Sequence, residues 1–236
     1  MKRLILAATL ALPLLAQPPA APRERTTKLM HLKYADPQAI QTLVSQFGVN
    51  VIANSPMKAM TIEGFPDKLM AAEAAIQQLD IAPKDIELTV HLVIGSDKPA
   101  ANAVAVPADI RDVITQLKST FTFKEYRMLD VLILRTRAGS AADTTGILDV
   151  SMNPPRLSTF SIRNATVSED GTTVRIDRMH AGVRIPVAPT QGKANYTDTG
   201  IDQDVDVKEG QKVVVGRSSL EGPAQALFVI LTAKVL

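Results

Sequence analysis

Between Lys28 and Asp80 the hydrophobic period of the chain switches repeatedly between strand and helix. Met30, Leu32 and Tyr34 alternate with Leu29, His31 and Lys33, which predicts a strand. Asp36 then stands as an N-cap with Pro37 at the first helical position, where its missing N–H has no partner to lose. Ile40, Leu43, Val44 and Phe47 follow at helical spacing, and Gly48 supplies a left-handed end. Val49, Val51 and Ala53 alternate as a short strand. Asn54-Ser55-Pro56 is turn chemistry, and Met60 and Ile62 make a third strand closed by Gly64. Pro66 opens a second helix with Asp67 at its positive end. Leu69, Ala72, Ile76 and Leu79 are its stripe, and Asp80-Ile81-Ala82-Pro83 ends it. Two striped helices and three half-buried strands predict a two-layer α+β unit over residues 26–81. A unit this small buries little surface by itself, so it should lean on a neighbour or on a second copy.

Residues 82–236 read differently. Ile86, Leu88, Val90, Leu92 and Ile94 face one way and Glu87, Thr89, His91 and Val93 the other, a clear period of two. Ser96 to Val106 reads as a loop. Pro107 opens a helix carrying Ile110, Val113, Ile114, Leu117 and Phe121. Val131 to Leu134 is apolar on both faces and predicts a central strand covered on both sides. Arg135 to Thr145 reads as a polar loop. Beyond it the spacing predicts strands at 147–152, 157–163, 173–177, 183–187, 205–207, 212–215 and 226–235. Asp170-Gly171 and Glu209-Gly210 are hairpin turns, and Gly216 stands where a strand meets a turn. The predicted fold class is α+β: a small βαββα two-layer domain, then a mainly β, sandwich-like domain carrying one helix.

The N-terminus changes the picture. Lys2 and Arg3 precede an almost wholly apolar run from Leu4 to Ala16, too short for the ~20 residues of a membrane span but right for a signal peptide. Cleavage after Ala16 leaves a leader, residues 17–25, that reads as disordered; a buried N-terminal helix is the other reading. The chain is thus expected in the periplasm, possible association with the outer membrane included, with no transmembrane segment after signal removal. It has no cysteine, so neither a disulfide nor a lipidated N-terminal cysteine is available. A net charge of +2 with acids and bases nearly balanced leaves no nucleic-acid footprint. Aromatic residues are 4% of the chain and tryptophan is absent, which disfavours stacking on sugars or bases.

The segments LKYADPQAIQTLV and GFPDKLMAAEAAIQQLDIAPKDIELTVHLVI, with a short strand pair between them, resemble the small periplasmic domain of bacterial secretins. The resemblance runs from Lys28 to about Ile94. It departs from the family at Ala59, which stands about where an asparagine usually opens the third strand. The tail, VDVKEGQKVVVGRSS followed by ALFVILTAKVL, is similar to the end of the secretin core domain. There Arg217 replaces a second glycine, and no alternating apolar hairpin of membrane length is visible, so the chain is expected to be secretin-like without being a pore. The family's small domain packs against copies of itself. The resemblance therefore implies protein–protein contacts, with a monomeric α+β domain of the same fold as the alternative.

Candidate chemistry is sparse. His31, His91 and His180 are the three histidines, and none has a second metal-type ligand at a useful spacing. No G-x-S-x-G elbow and no glycine-rich phosphate loop occurs. Asn164-Ala165-Thr166 and Asn195-Tyr196-Thr197 match the glycosylation pattern by chance. Asp202, Asp204 and Asp206 resemble a calcium-loop opening, but Val207 stands where the loop needs glycine. Alternation puts the three carboxylates on one strand face, to be solvated, paired with Arg163, Arg175, Arg178 or Arg184, or presented to a partner. An enzyme would need a cleft with titratable groups in contact, for instance His180 with Asp177. The sequence therefore predicts a non-enzymatic exported protein with no cofactor and no metal. It would assemble with itself or with other envelope proteins of a secretion (type II among them) or pilus-type system. Gln38, Gln41, Lys68 and Glu73 are its candidate contacts. The alternative is a periplasmic protein that binds a ligand or peptide on the β domain.

Overall fold

The computed structural model describes residues 24–98, 104–149, 154–190, 193–220 and 222–236. The apolar run 1–16 and the leader to residue 23 lie outside them, as do parts of the predicted loop 96–106 and of the strand 147–152. The chain separates into two compact units, with the boundary between Ala82 and Pro83.

The first unit runs β1 (Thr26–His31), α1 (Pro37–Ser45), β2 (Asn50–Asn54), β3 (Ala59–Gly64), α2 (Pro66–Leu79). Its sheet is antiparallel with β3 in the centre, between β1 and β2. Val51, Met60 and Ile62 on the sheet meet Ile40 and Val44 of α1 and Leu69, Ala72 and Ile76 of α2. The Asp36 carboxylate accepts the Gln38 N–H at 3.1 Å, so the predicted N-cap is made. Gly48 is left-handed at φ 77°, two residues past the α1 C-cap at Gln46. Leu43 and Leu79, both assigned to buried stripes, are instead exposed. The helices cover one sheet face with narrower stripes than the sequence suggested.

The second unit contains two sheets. One holds β4 (Asp85–Ser96), β5 (Glu125–Arg137), β11 (Lys212–Ser219) and β12 (Gln225–Val235) in the order β11-β12-β4-β5. The other holds β6 (Ala142–Asp149), β7 (Arg156–Ile162), β8 (Asn164–Val167), β9 (Thr173–Thr190) and β10 (Lys193–Lys208). Its order is β10-β9-β7-β6, with β8 paired to β9. Ile86, Leu88, Val90 and Leu92 of β4 and Leu227, Val229 and Leu231 of β12 pack on Phe160, Ile176, Met179 and Ala181 of the facing sheet. This sandwich core is the principal apolar burial of the unit. On the other face of the first sheet lies α3 (Arg111–Thr120), entered by a single 3₁₀ turn, Ala108–Ile110. Ile110, Val113, Ile114 and Leu117 pack there on Val93, Phe228 and Ile230.

Four readings are corrected. Val131 to Leu134 is not a central strand: β5 is an edge strand, and Ile133 is 61% exposed. The strands covered on both sides are β4 and β12, whose neighbouring residues bury alternately against the sandwich and against α3. Arg135 to Thr145 is not a loop but the end of β5, a short turn and the start of β6. Arg135 and Arg137 stand on the exposed face of β5, where Arg135 holds Glu87 at 2.6 Å, while Thr136 between them is buried. Glu209-Gly210 does not close a hairpin; it carries the chain from β10 in one sheet to β11 in the other. Gly216 lies at a bulge inside β11 rather than at its end. Asp170-Gly171 is the hairpin turn expected, between β8 and β9. Bonds from the Ser168 hydroxyl and the Thr172 N–H hold the Asp170 carboxyl down at about 2.

The strands predicted at 173–177 and 183–187 are one strand, β9, irregular near Arg178, which adopts φ 48°. With β10 it makes a hairpin whose arms are 18 and 16 residues long. The sequence reading missed it because the irregularity breaks the alternation. Gly182 and Gly200 stand directly opposite each other in it. A Cβ on Gly182 would sit 2.7 Å from the Gly200 Cα, and one on Gly200 would sit 2.9 Å from the Gly182 Cα. The two backbones therefore cross at a distance only glycine permits.

Candidate interaction surfaces

The four residues predicted as contacts divide into two kinds. Gln38 on α1 and Lys68 on α2 are exposed. Gln41 donates its side-chain N–H to the Val51 carbonyl at 3.0 Å, tying α1 to β2. Glu73 is paired with Lys28 of β1 at 2.5 Å, tying α2 to the sheet. Both of these polar groups serve the unit's own packing.

The unit's exposed apolar residues lie elsewhere. Leu29, Thr61 and Ile52 form one cross-strand row, since Thr61 pairs with both of the others. Their neighbours Met30, Ile62 and Val51 point to the helices, so this row lies on the uncovered sheet face. Leu29 and Ile52 are each 64% exposed. On the helix layer Leu43, Phe47 and Met70 are exposed. The unit thus presents apolar side chains on both its layers. The β1 signal could have suggested this, because Leu29 is apolar on the face assigned to His31 and Lys33.

Asp80 is a residue the sequence reading used only as a helix stop. Its carboxylate accepts the backbone N–H groups of Lys33, Tyr34 and Ala35 at 2.8, 2.8 and 3.0 Å. Burial pushes this carboxyl up, but the three N–H donors together hold it below its ordinary range. The β1–α1 turn is therefore fixed to the end of α2. At the turn before β3, Asn54 accepts the Met57 N–H at 3.1 Å, and Ala59 is buried.

In the second unit the outward face of the β9–β10 hairpin carries a ladder of opposite charges. Arg184 holds Asp198 at 2.9 Å, His180 holds Asp202 at 2.9 Å, and Arg175 holds Asp206 at 3.1 Å. Asp204 accepts the Arg178 N–H at 2.7 Å, where the strand is irregular. The alternating aspartates are thus arginine- and histidine-paired. Among the described residues no group of three or more His, Asp or Glu side chains is arranged to hold a metal ion. His180 meets Asp202 rather than Asp177, whose carboxylate takes the Asn164 amide at 3.2 Å. The His180–Asp177 pair considered for an enzyme is not formed.

His91 lies on the α3 side of β4 and is 4% exposed. Its Nε2 is 3.4 Å from Asp109, and its Nδ1 has no hydrogen-bond partner. Burial holds its pKa below the ordinary histidine value, while Asp109 raises it and Lys212 lowers it. Beside α3, Phe121, Phe123, Tyr126 and Phe228 form an aromatic cluster with ring centres 5.1 to 6.2 Å apart. The Arg217 guanidinium covers Phe121 and Phe123 at 5.7 and 5.5 Å. Arg217 thus caps the aromatic cluster. No described helix is long and apolar enough to cross a membrane.

Neither a protein-family model nor a curated protein matches the chain. Solved structures do. The type II secretion system secretin GspD of E. coli K12 superposes with a TM-score of 0.60 at 13% identity, over 91% of this chain and 63% of that one. The type II secretin GspD of enteropathogenic Escherichia coli gives 0.55 at 13% identity, over 89% and 87%. The type IV competence pilus secretin PilQ of V. cholerae gives 0.56 at 10% identity, over 90% and 77%.

The fold is secretin-like. The superposed share of about nine tenths extends beyond the first unit into the β sandwich, so the secretin-like fold is not confined to Lys28–Ile94. A long hairpin, which the sequence shows only in fragments, is present in this sandwich as β9 and β10. Its outward face is charged rather than apolar.

Proposed function

We propose that the chain is an exported, non-enzymatic envelope protein of secretin-like fold that works by assembly. Its partners are copies of itself or other proteins of a secretion or pilus-type system, in the periplasm or at the outer membrane. The observation that carries this reading is the uncovered sheet face of the first unit. Leu29 and Ile52 would lose most of their exposed apolar area against a second copy, at about 25 cal/mol for each Å² removed from water. The exposed Leu43 of α1 and Phe47 just beyond its end offer an apolar complement on the other layer, so one copy's helix layer would fit the next copy's sheet. A contact between two different faces repeats, and it closes only as a ring. Gln38 and Lys68 would lie at its rim. The fold neighbours support the setting: their names place them in type II secretion and type IV competence-pilus systems.

The test is the mass of the signal-less chain in solution across a wide concentration range. A discrete higher oligomer that falls to monomer in Leu29→Glu and Ile52→Glu is the expected result. A strict monomer at every concentration overturns self-assembly. An oligomer untouched by both substitutions removes this face from it.

A further inference from the structure

A cavity of about 270 Å³ opens at one end of the β sandwich, between its two sheets. Ile94, Leu129, Leu148, Val183, Ile185 and Leu220 give it aliphatic walls. Arg127, Arg156 and Asp149 also line it. Two guanidiniums thus face one carboxylate. Asp149 stands opposite Arg156 across the β6–β7 ladder, and both already hold interactions. Arg127 is the residue left over. It is the register partner of Ile94 on β5, and its Nε is buried with no hydrogen-bond partner. A buried donor on a cation is costly unless an acceptor, best an anion, completes it.

We propose that this cavity binds an unbranched alkyl carboxylate, with the tail between the sheets and the carboxylate on Arg127. The walls are aliphatic and hold no aromatic ring, which fits a flexible chain better than a flat ligand. At the ~30 Å³ that a water occupies in the liquid, the space holds about nine heavy atoms, the number of tail carbons that decanoate has beyond its carboxyl group. The surplus positive charge selects an acid over an alcohol of the same length. Aliphatic walls with a few placed polar groups, here Arg127, Arg156, Asp149 and Gln225, are a common form of ligand site.

Decanoate and decanol, titrated separately into the full chain and followed by the methyl NMR signals of Ile94, Leu148 and Val183, test the assignment. Decanoate should shift these signals saturably, and Arg127→Gln should weaken it by about tenfold or more. Decanol should bind more weakly and equally to both forms. Leu220→Trp, at the half-buried margin, should block both ligands. If Arg127→Gln disturbs the spectrum of the free protein, Arg127→Lys replaces it and should keep the preference for the acid. No saturable shift overturns the proposal. So does a decanoate affinity indifferent to Arg127, or a peptide with a C-terminal aliphatic residue that binds the site more tightly than decanoate.

Discussion

The Asp80 carboxylate holds the Tyr34 N–H at 2.8 Å across 46 residues of sequence. With Lys33 and Ala35 it completes a three-donor cradle for one anion. Asp80→Ala removes the acceptor and leaves those donors dependent on water, which should cost the first unit about 1–3 kcal/mol. Amide exchange at Tyr34 and Ala35 reads this directly, since their protection should fall together while that of the sandwich strands stays unchanged. The carboxyl titrates below its unfolded value of 3.8, so its contribution is full above that value and is lost as pH falls through the folded pKa. Unchanged protection at Tyr34 in the alanine variant would show that the cradle is decorative.

His91 sets a different pH limit. Its folded pKa lies below the unfolded 6.5, so the unfolded chain binds the proton more readily. The second unit should therefore keep its full stability above pH 6.5 and lose some as pH falls below it. Exchange at Ile114 and Leu117, on the helix that covers His91, should accelerate relative to the intrinsic rate of an unfolded amide as pH falls below 6.5. His91→Leu should flatten that dependence, and Asp109→Asn should lower the histidine's pKa further and shift the acceleration to lower pH. An acceleration that survives in His91→Leu would assign it to another group.

Gly95 bounds the aromatic cluster. A Cβ at this position would stand 2.8 Å from Phe123 and 2.9 Å from Phe228. Gly95→Val should thus push the rings apart and destabilise the second unit by about 1–3 kcal/mol, as overpacking does. The chain has no tryptophan, so the near-ultraviolet signal comes from tyrosine and phenylalanine alone, and the packing of Tyr126 should be visible in it. A near-ultraviolet spectrum identical to that of the parent would contradict the packing described.

The charge ladder on the β9–β10 hairpin should contribute little by itself. Asp198→Asn should change stability by less than about 1 kcal/mol, because an exposed pair competes with water and salt. Millimolar calcium should leave the melting temperature where it is, since Asp202 and Asp206 already face His180 and Arg175. A calcium-dependent rise that Asp202→Asn and Asp206→Asn abolish would restore the metal reading.

The first unit was largely legible because its signals are local. Asp36 and Pro37 mark a helix start, and Val51, Met60 and Ile62 alternate on one face. The open apolar row was not, because Leu29 and Ile52 meet only through Thr61 and no local pattern records a cross-strand neighbour. The β9–β10 hairpin was read in fragments because the turn at Arg178 shifts its alternation. The cavity depended on Arg127 facing inward beside Ile94, a matter of register between strands whose residues are 33 apart in sequence. Asp80 was placed correctly at a helix end, but its three donors come from a segment far along the chain.

The Gly182–Gly200 crossing makes the hairpin proofread its own alignment. A slip by one residue would bring the side chain of Ala181, Val183, Thr199 or Ile201 into a space that accepts only hydrogen. Mispaired forms are rejected at that point by steric exclusion, whatever the sequence nearer the tip. Extra residues can therefore be spliced in beyond the crossing, in equal numbers on both arms, and the root should still form in its native alignment.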